Sequence, residues 1–156
     1  MLEIEDAELG PPFSLPPRLA TMLSARVLRH DTELALTTLY FGDGELRVPQ
    51  VPLPVDAGVE VRIDARDVSI ALSRPMDVSI TNRLPGEIAE IELLAPPYVR
   101  ATIALGKTYL HSLVTRESVA RLALVPGLKT WAMIKAVAIA GPLLKPDLAP
   151  RPRSWP

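Results

Sequence analysis

Cysteine is absent from the 156 residues, which rules out disulfides, thiol nucleophiles and thiolate metal sites together. Aromatic residues are scarce, with two Trp, three Tyr and two Phe. The core must therefore be built from aliphatic side chains, and few rings remain on which bases can stack. Excess charge is missing as well: 17 Lys plus Arg stand against 18 Asp plus Glu, so no global field draws the chain to nucleic acid or an anionic membrane. No apolar stretch approaches the ~18 uninterrupted residues of a membrane-spanning helix, and the N-terminus has no signal-peptide pattern. These features suit an unexported, cytoplasmic protein.

Catalytic signatures are equally thin. The glycines are scattered singly, without a Gly-x-x-x-x-Gly-Lys-[Ser/Thr] phosphate loop or a Gly-x-Ser-x-Gly elbow. His30 and His111 have no neighbours at ligand spacing, so no metal site is expected. Asp64 and Asp67 lie beside Arg62 and Arg66, where paired or solvated charge is the default reading over acid–base chemistry. The chain reads as a binding module rather than an enzyme.

What is present is short β-branched segments between turn residues: Ala25 to Val27, Leu34 to Tyr40, Glu45 to Val48 and Val59 to Leu72. Asp43-Gly44, between two apolar runs, predicts a hairpin with a tight primed turn. The alternation from Val59 to Ile70 slips by one residue near Arg66-Asp67, which predicts a bulge.

The second half repeats the plan. Residues Val59 to Ala71 can be laid over Thr130 to Ala140, each following a glycine (Gly58, Gly127), and Ala25-Arg-Val27 finds a counterpart in Gly86-Glu-Ile88. Thr115, Glu117, Val119, Leu122 and Ala123 predict one short capped helix ending before Pro126-Gly127. The expected fold is all-β, with two tandem OB-like small barrels and that helix. The expected division is 1–23 as an N-terminal extension, 24–75 and 76–141 as the two halves, and 142–156 as a proline-rich tail.

Two features point to an anion. Lys135 is embedded among apolar β residues, where its ammonium needs water or a partner. Ser79 and Thr81, two apart, project to one face of a strand, and turning backbone around Asn82 adds amide donors. An all-donor site suits a fully ionised tetrahedral dianion, whereas a protonated phosphate would also need an acceptor.

The segments Ser79 to Ile88, Leu110 to Val119 and Trp131 to Ile139 resemble the molbindin (Mop) domain. More broadly, residues 24–140, including Val61 to Leu72, resemble the C-terminal regulatory (Mop/TOBE) region of the ATP-binding subunit of molybdate ABC importers. The resemblance implies molybdate or tungstate as ligand, with no cofactor. It also implies a site where two copies of the domain meet in a dimer, and regulation of a transporter's membrane subunits through an ATPase domain that lies outside this sequence. By matching position the oxyanion contacts fall on Ser79, Thr81, Asn82, Lys135 and Ala136.

Two residues depart from the pattern: Thr81 stands where the family often has arginine, and Ala136 where it often has serine. A lost charge-assisted bond is worth about 1.5–3 kcal/mol, or roughly ten- to a hundredfold in affinity. A dimerisation module of the same family that has lost its ligand is the alternative these departures raise. Oligonucleotide binding on an OB-like barrel is disfavoured by the near-neutral charge and the few rings.

Overall fold

A computed structural model describes residues 17–139 and 142–144. Of the expected extension at 1–23 and tail at 142–156, residues 1–16 and 145–156 lie outside the described residues; in the rest, a strand already begins at Ala20 and Leu143–Leu144 form another.

Ten strands form two five-stranded sheets. The first half supplies β1 (Ala20–Asp31), β2 (Leu36–Tyr40), β3 (Glu45–Pro49), β4 (Gly58–Asp64) and β5 (Ser69–Ala71). The second supplies β6 (Asn82–Leu93), β7 (Tyr98–Leu105), β8 (Thr108–Thr115), the helix α1 (Arg116–Leu122) and β9 (Lys129–Ile134), followed by β10 (Leu143–Leu144). The orders are β10-β4-β1-β2-β3 and β5-β9-β6-β7-β8, with every pairing antiparallel. Among the described residues the protein is thus all-β, with OB-like curled sheets and one α-helix.

The short strands are exchanged. β5 leaves the first half to pair with β9, and β10 leaves the second to pair with β4. Each sheet therefore ends on a strand from the other half, and the two halves share one aliphatic core that includes Val27, Leu39, Val61, Ile63, Ile88, Ile103, Leu110 and Ile134. Gly86 is required by that packing, because a Cβ there would sit 2.7 Å from the Ile103 side chain and 2.8 Å from the Ala104 carbonyl.

The internal repeat is visible in the backbone. β1 has an irregularity between Val27 and Arg29, and β6 has one between Ile88 and Glu90. At each, the strand exchanges bonds with the turn entering its partner: Val27 N to Ala57 O (3.0 Å) and Asp56 N to Val27 O (2.7 Å), then Ile88 N to Leu128 O (2.9 Å) and Gly127 N to Ile88 O (2.8 Å). Asp56 and Gly127 both have positive φ, at 76° and 93°. The counterpart of Gly127 is therefore Asp56, not Gly58, which is the first residue of β4.

Both halves then close alike. β4 runs into a 3-10 turn at Ala65–Asp67 and β9 into one at Ala136–Ala138. The phase slip at Arg66-Asp67 is thus a 3-10 turn rather than a bulge. The first hairpin is present, but its connection is Phe41 to Gly44 with positive φ at Gly42, so Asp43-Gly44 is not a two-residue primed turn.

Candidate oxyanion site

β6 enters the second sheet opposite the end of β9, with Asn82 paired to Ile134. The ladder stops there, so the next residues outward, Thr81 and Lys135, face each other across its open end. Lys135 precedes the 3-10 turn in extended conformation (φ −64°, ψ 136°), and its carbonyl accepts from Ala138 N at 3.0 Å. Its side chain is exposed, so the surrounding apolar residues do not bury the ammonium. A depression of about 260 Å³ lies beside it, lined by Arg66, Asp67, Ser69, Ile80 and Met133 as well as Lys135. With water occupying about 30 Å³ per molecule, there is room for a tetrahedral oxyanion and part of its hydration.

The remaining positions fall unevenly. Ser79 sits on a bend and Thr81 just before β6, both exposed. Within one chain it is Ile80 of that segment, not either hydroxyl, that lines the depression. Ala136 is buried, and its carbonyl accepts from Ile139 N at 3.2 Å.

Asn82 is buried in extended backbone rather than in a turn. Its Oδ1 accepts from Arg47 N (2.7 Å) and its Nδ2 donates to Arg47 O (2.9 Å), both on the edge strand β3. The Asn82 carboxamide is therefore a brace between the sheets. Its counterpart is Thr21, paired to Ile63 as Asn82 is to Ile134, whose Oγ1 accepts from His111 N on β8 at 3.0 Å.

The other charged groups are occupied structurally. Arg83 Nη1 donates to Pro75 O at 3.0 Å, tying β6 to the preceding connector. Asp64 Oδ1 accepts from Arg66 N (2.9 Å) and Nε (3.3 Å), and Oδ2 accepts from Nη2 (3.1 Å). Those bonds hold the Asp64 carboxyl below the usual carboxylate range. His30 is stapled at both ring nitrogens, to Thr37 Oγ1 (2.8 Å) and Leu53 O (2.7 Å). His111 lies beside Thr102 Oγ1 at 3.1 Å, and burial, then the Arg100 charge, push its imidazole below the usual value. Among the described residues no group of three or more His, Asp or Glu is placed to hold a metal, and no helix is long and apolar enough to cross a membrane.

Sequence reasoning missed Arg66 as a neighbour of Lys135. The repeat alignment places Asp64 over Lys135, but nothing in it reveals that β5, by joining the other sheet, draws the 3-10 turn that holds Arg66 toward Lys135.

Comparison with known proteins bears on the family and the fold. Residues 78–140 match the TOBE domain family. The chain is 35% identical over 133 residues to the molybdenum import ATP-binding protein ModC of Aromatoleum aromaticum, covering 85% of this chain and 35% of that protein. It is 39% identical over 119 residues to ModC of Paramagnetospirillum magneticum, covering 76% and 33%. The chain thus spans about a third of the length of these relatives. A solved structure of the cytoplasmic molybdate-binding protein ModG, in a form with molybdate bound, superposes with a TM-score of 0.66 at 25% identity, covering 76% of this chain and 92% of that one.

Proposed function

Since the chain belongs with the Mop/TOBE regions of molybdenum import ATP-binding proteins, we propose that it binds molybdate or tungstate and acts as a regulatory module, without catalysis of its own. The observation that carries this reading is the open end of the β6–β9 ladder, where Lys135 and Thr81 face each other beside a depression of oxyanion size.

The Ser79 and Thr81 hydroxyls do not line the depression of their own chain, which favours a site completed where two copies meet. There the hydroxyls, the backbone amides near Asn82 and Ala136 and the Lys135 ammonium of the two copies together surround the oxyanion. Halves 24–75 and 76–141 act as one rigid support, joined by β5, which pairs with β9 of the other half. In a full transporter the module works in the cytoplasm, beside the inner membrane. Oxyanion accumulating in the cell favours one arrangement of paired modules over another and thereby restrains import through the membrane subunits.

Calorimetric titration with molybdate, tungstate and sulfate tests the reading. Heat is expected with the first two and little with sulfate, and Lys135→Ala should abolish it. Absence of heat with any of them at millimolar ligand, in the dimeric state, would retire the proposal. A dimerisation module without ligand is favoured by Thr81 and by the buried methyl of Ala136. That reading fails if oxyanion raises the melting temperature of the unmodified chain but not of Lys135→Ala.

A further inference from the structure

We propose that Arg66, carried over from the first half, supplies the second charged donor of the oxyanion site around Lys135. The inference rests on the reading above and names a contact that the sequence pattern does not assign.

A dianion held by one ammonium and a few neutral donors lacks charge. The position at which the pattern often supplies a guanidinium holds Thr81. Arg83, two residues away, is committed to the Pro75 carbonyl and cannot take its place without releasing the connector. The exchanged strand provides another route. Ser69 of β5 pairs with Met133 of β9, two residues before Lys135, so the 3-10 turn just ahead of β5, with Arg66 and Asp67, comes to the Lys135 end of that strand. Arg66, Ser69 and Lys135 accordingly line one depression.

The Arg66 guanidinium is pre-oriented. Asp64 holds its Nε and Nη2, while the 3-10 turn fixes its backbone, and Nη1 makes no bond among the described residues. A planar donor already fixed on one edge loses less freedom when an oxyanion meets its open side. The residue equivalent to Arg66 in the repeat is Val137, which is exposed, so this cation belongs to one corner only.

Four charges face the region: Arg66 and Lys135, balanced by Asp64 and Asp67. Asp64 is engaged with the guanidinium. Asp67 lines the depression and opposes a fully ionised dianion, so removing its charge should strengthen binding.

Molybdate titration of the full chain tests the proposal. Arg66→Gln should weaken binding about ten- to a hundredfold, the range expected for one charge-assisted bond. Asp67→Asn leaves the Asp64–Arg66 pair intact and should strengthen binding several-fold, so it reports on the depression even if Arg66→Gln loosens the turn. If Arg66→Gln binds as the unmodified chain does while Lys135→Ala loses binding, Arg66 has no part and the site reading stands. Unchanged or weaker binding by Asp67→Asn places the ligand outside this depression and overturns the proposal. No heat with the unmodified chain removes both the site reading and the role of Arg66.

Discussion

Asn82 shows how a polar side chain can be essential to a binding site while contacting no ligand. Edge strand β3 would leave the Arg47 N–H and C=O unpaired at a buried seam, and the Asn82 carboxamide satisfies both at 2.7 and 2.9 Å. That double bond pins the first residue of β6, from which Thr81 departs. Replacing Asn82 by Ala strands two backbone groups, each costing about 1–3 kcal/mol when buried without a partner. The expected outcome is a loss of thermal stability of several degrees, equal in the presence and absence of oxyanion, read by a calorimetric melt. Thr21→Val removes the single equivalent bond to His111 N and should cost about half as much. An Asn82→Ala chain that melts normally but no longer responds to oxyanion would instead make the carboxamide a ligand.

At the scale of elements, local chemistry decided what could be read in advance. Helix α1 was legible because its signals are local: Thr115 Oγ1 accepts from Ser118 N at 3.1 Å, Glu117 sits in the first turn, and Ala123 ends the helix in left-handed conformation. Thr115→Ala should cost about 1 kcal/mol, visible as faster amide exchange across residues 116–122. Normal exchange protection there would show that packing of half-buried Val119 and Leu122, rather than the cap, holds the helix. The tandem β plan was legible for the same reason, since alternation and turn glycines recur along each half. The Asp43-Gly44 signal located the hairpin but not its geometry, which Gly42 sets. Strand β5 reads in sequence as the continuation of β4 after a bulge, and β10, of two residues, falls in the expected tail, so neither shows by its pattern which sheet it joins. Their exchange, and with it the approach of Arg66 to Lys135, is a tertiary outcome that no local pattern encodes. At the site, the sequence singled out Lys135, but the burial of Asn82 and Ala136 depends on which strand edge lies across from them.

For the molecule as a whole, the internal repeat presents the same corner twice, and the two corners differ in charge. In the second half the ladder ends on Asn82 and Ile134, with Thr81 facing Lys135 beyond it. In the first half the equivalent positions are Ala20 and Asp64, which are themselves paired. A carboxylate thus stands where the ammonium stands in the other half, already bonded to Arg66 and held ionised by it at neutral pH. Placing a doubly negative tetrahedron against that carboxylate is repulsive, and Ala20 offers no hydroxyl in compensation. The asymmetry predicts a titration end-point of one molybdate per chain, hence two per dimer, although the backbone alone would allow twice as many. An end-point of two per chain would mean that the oxyanion recognises something common to both halves, such as backbone amides of the 3-10 turns. Lys135 would then lose its central place.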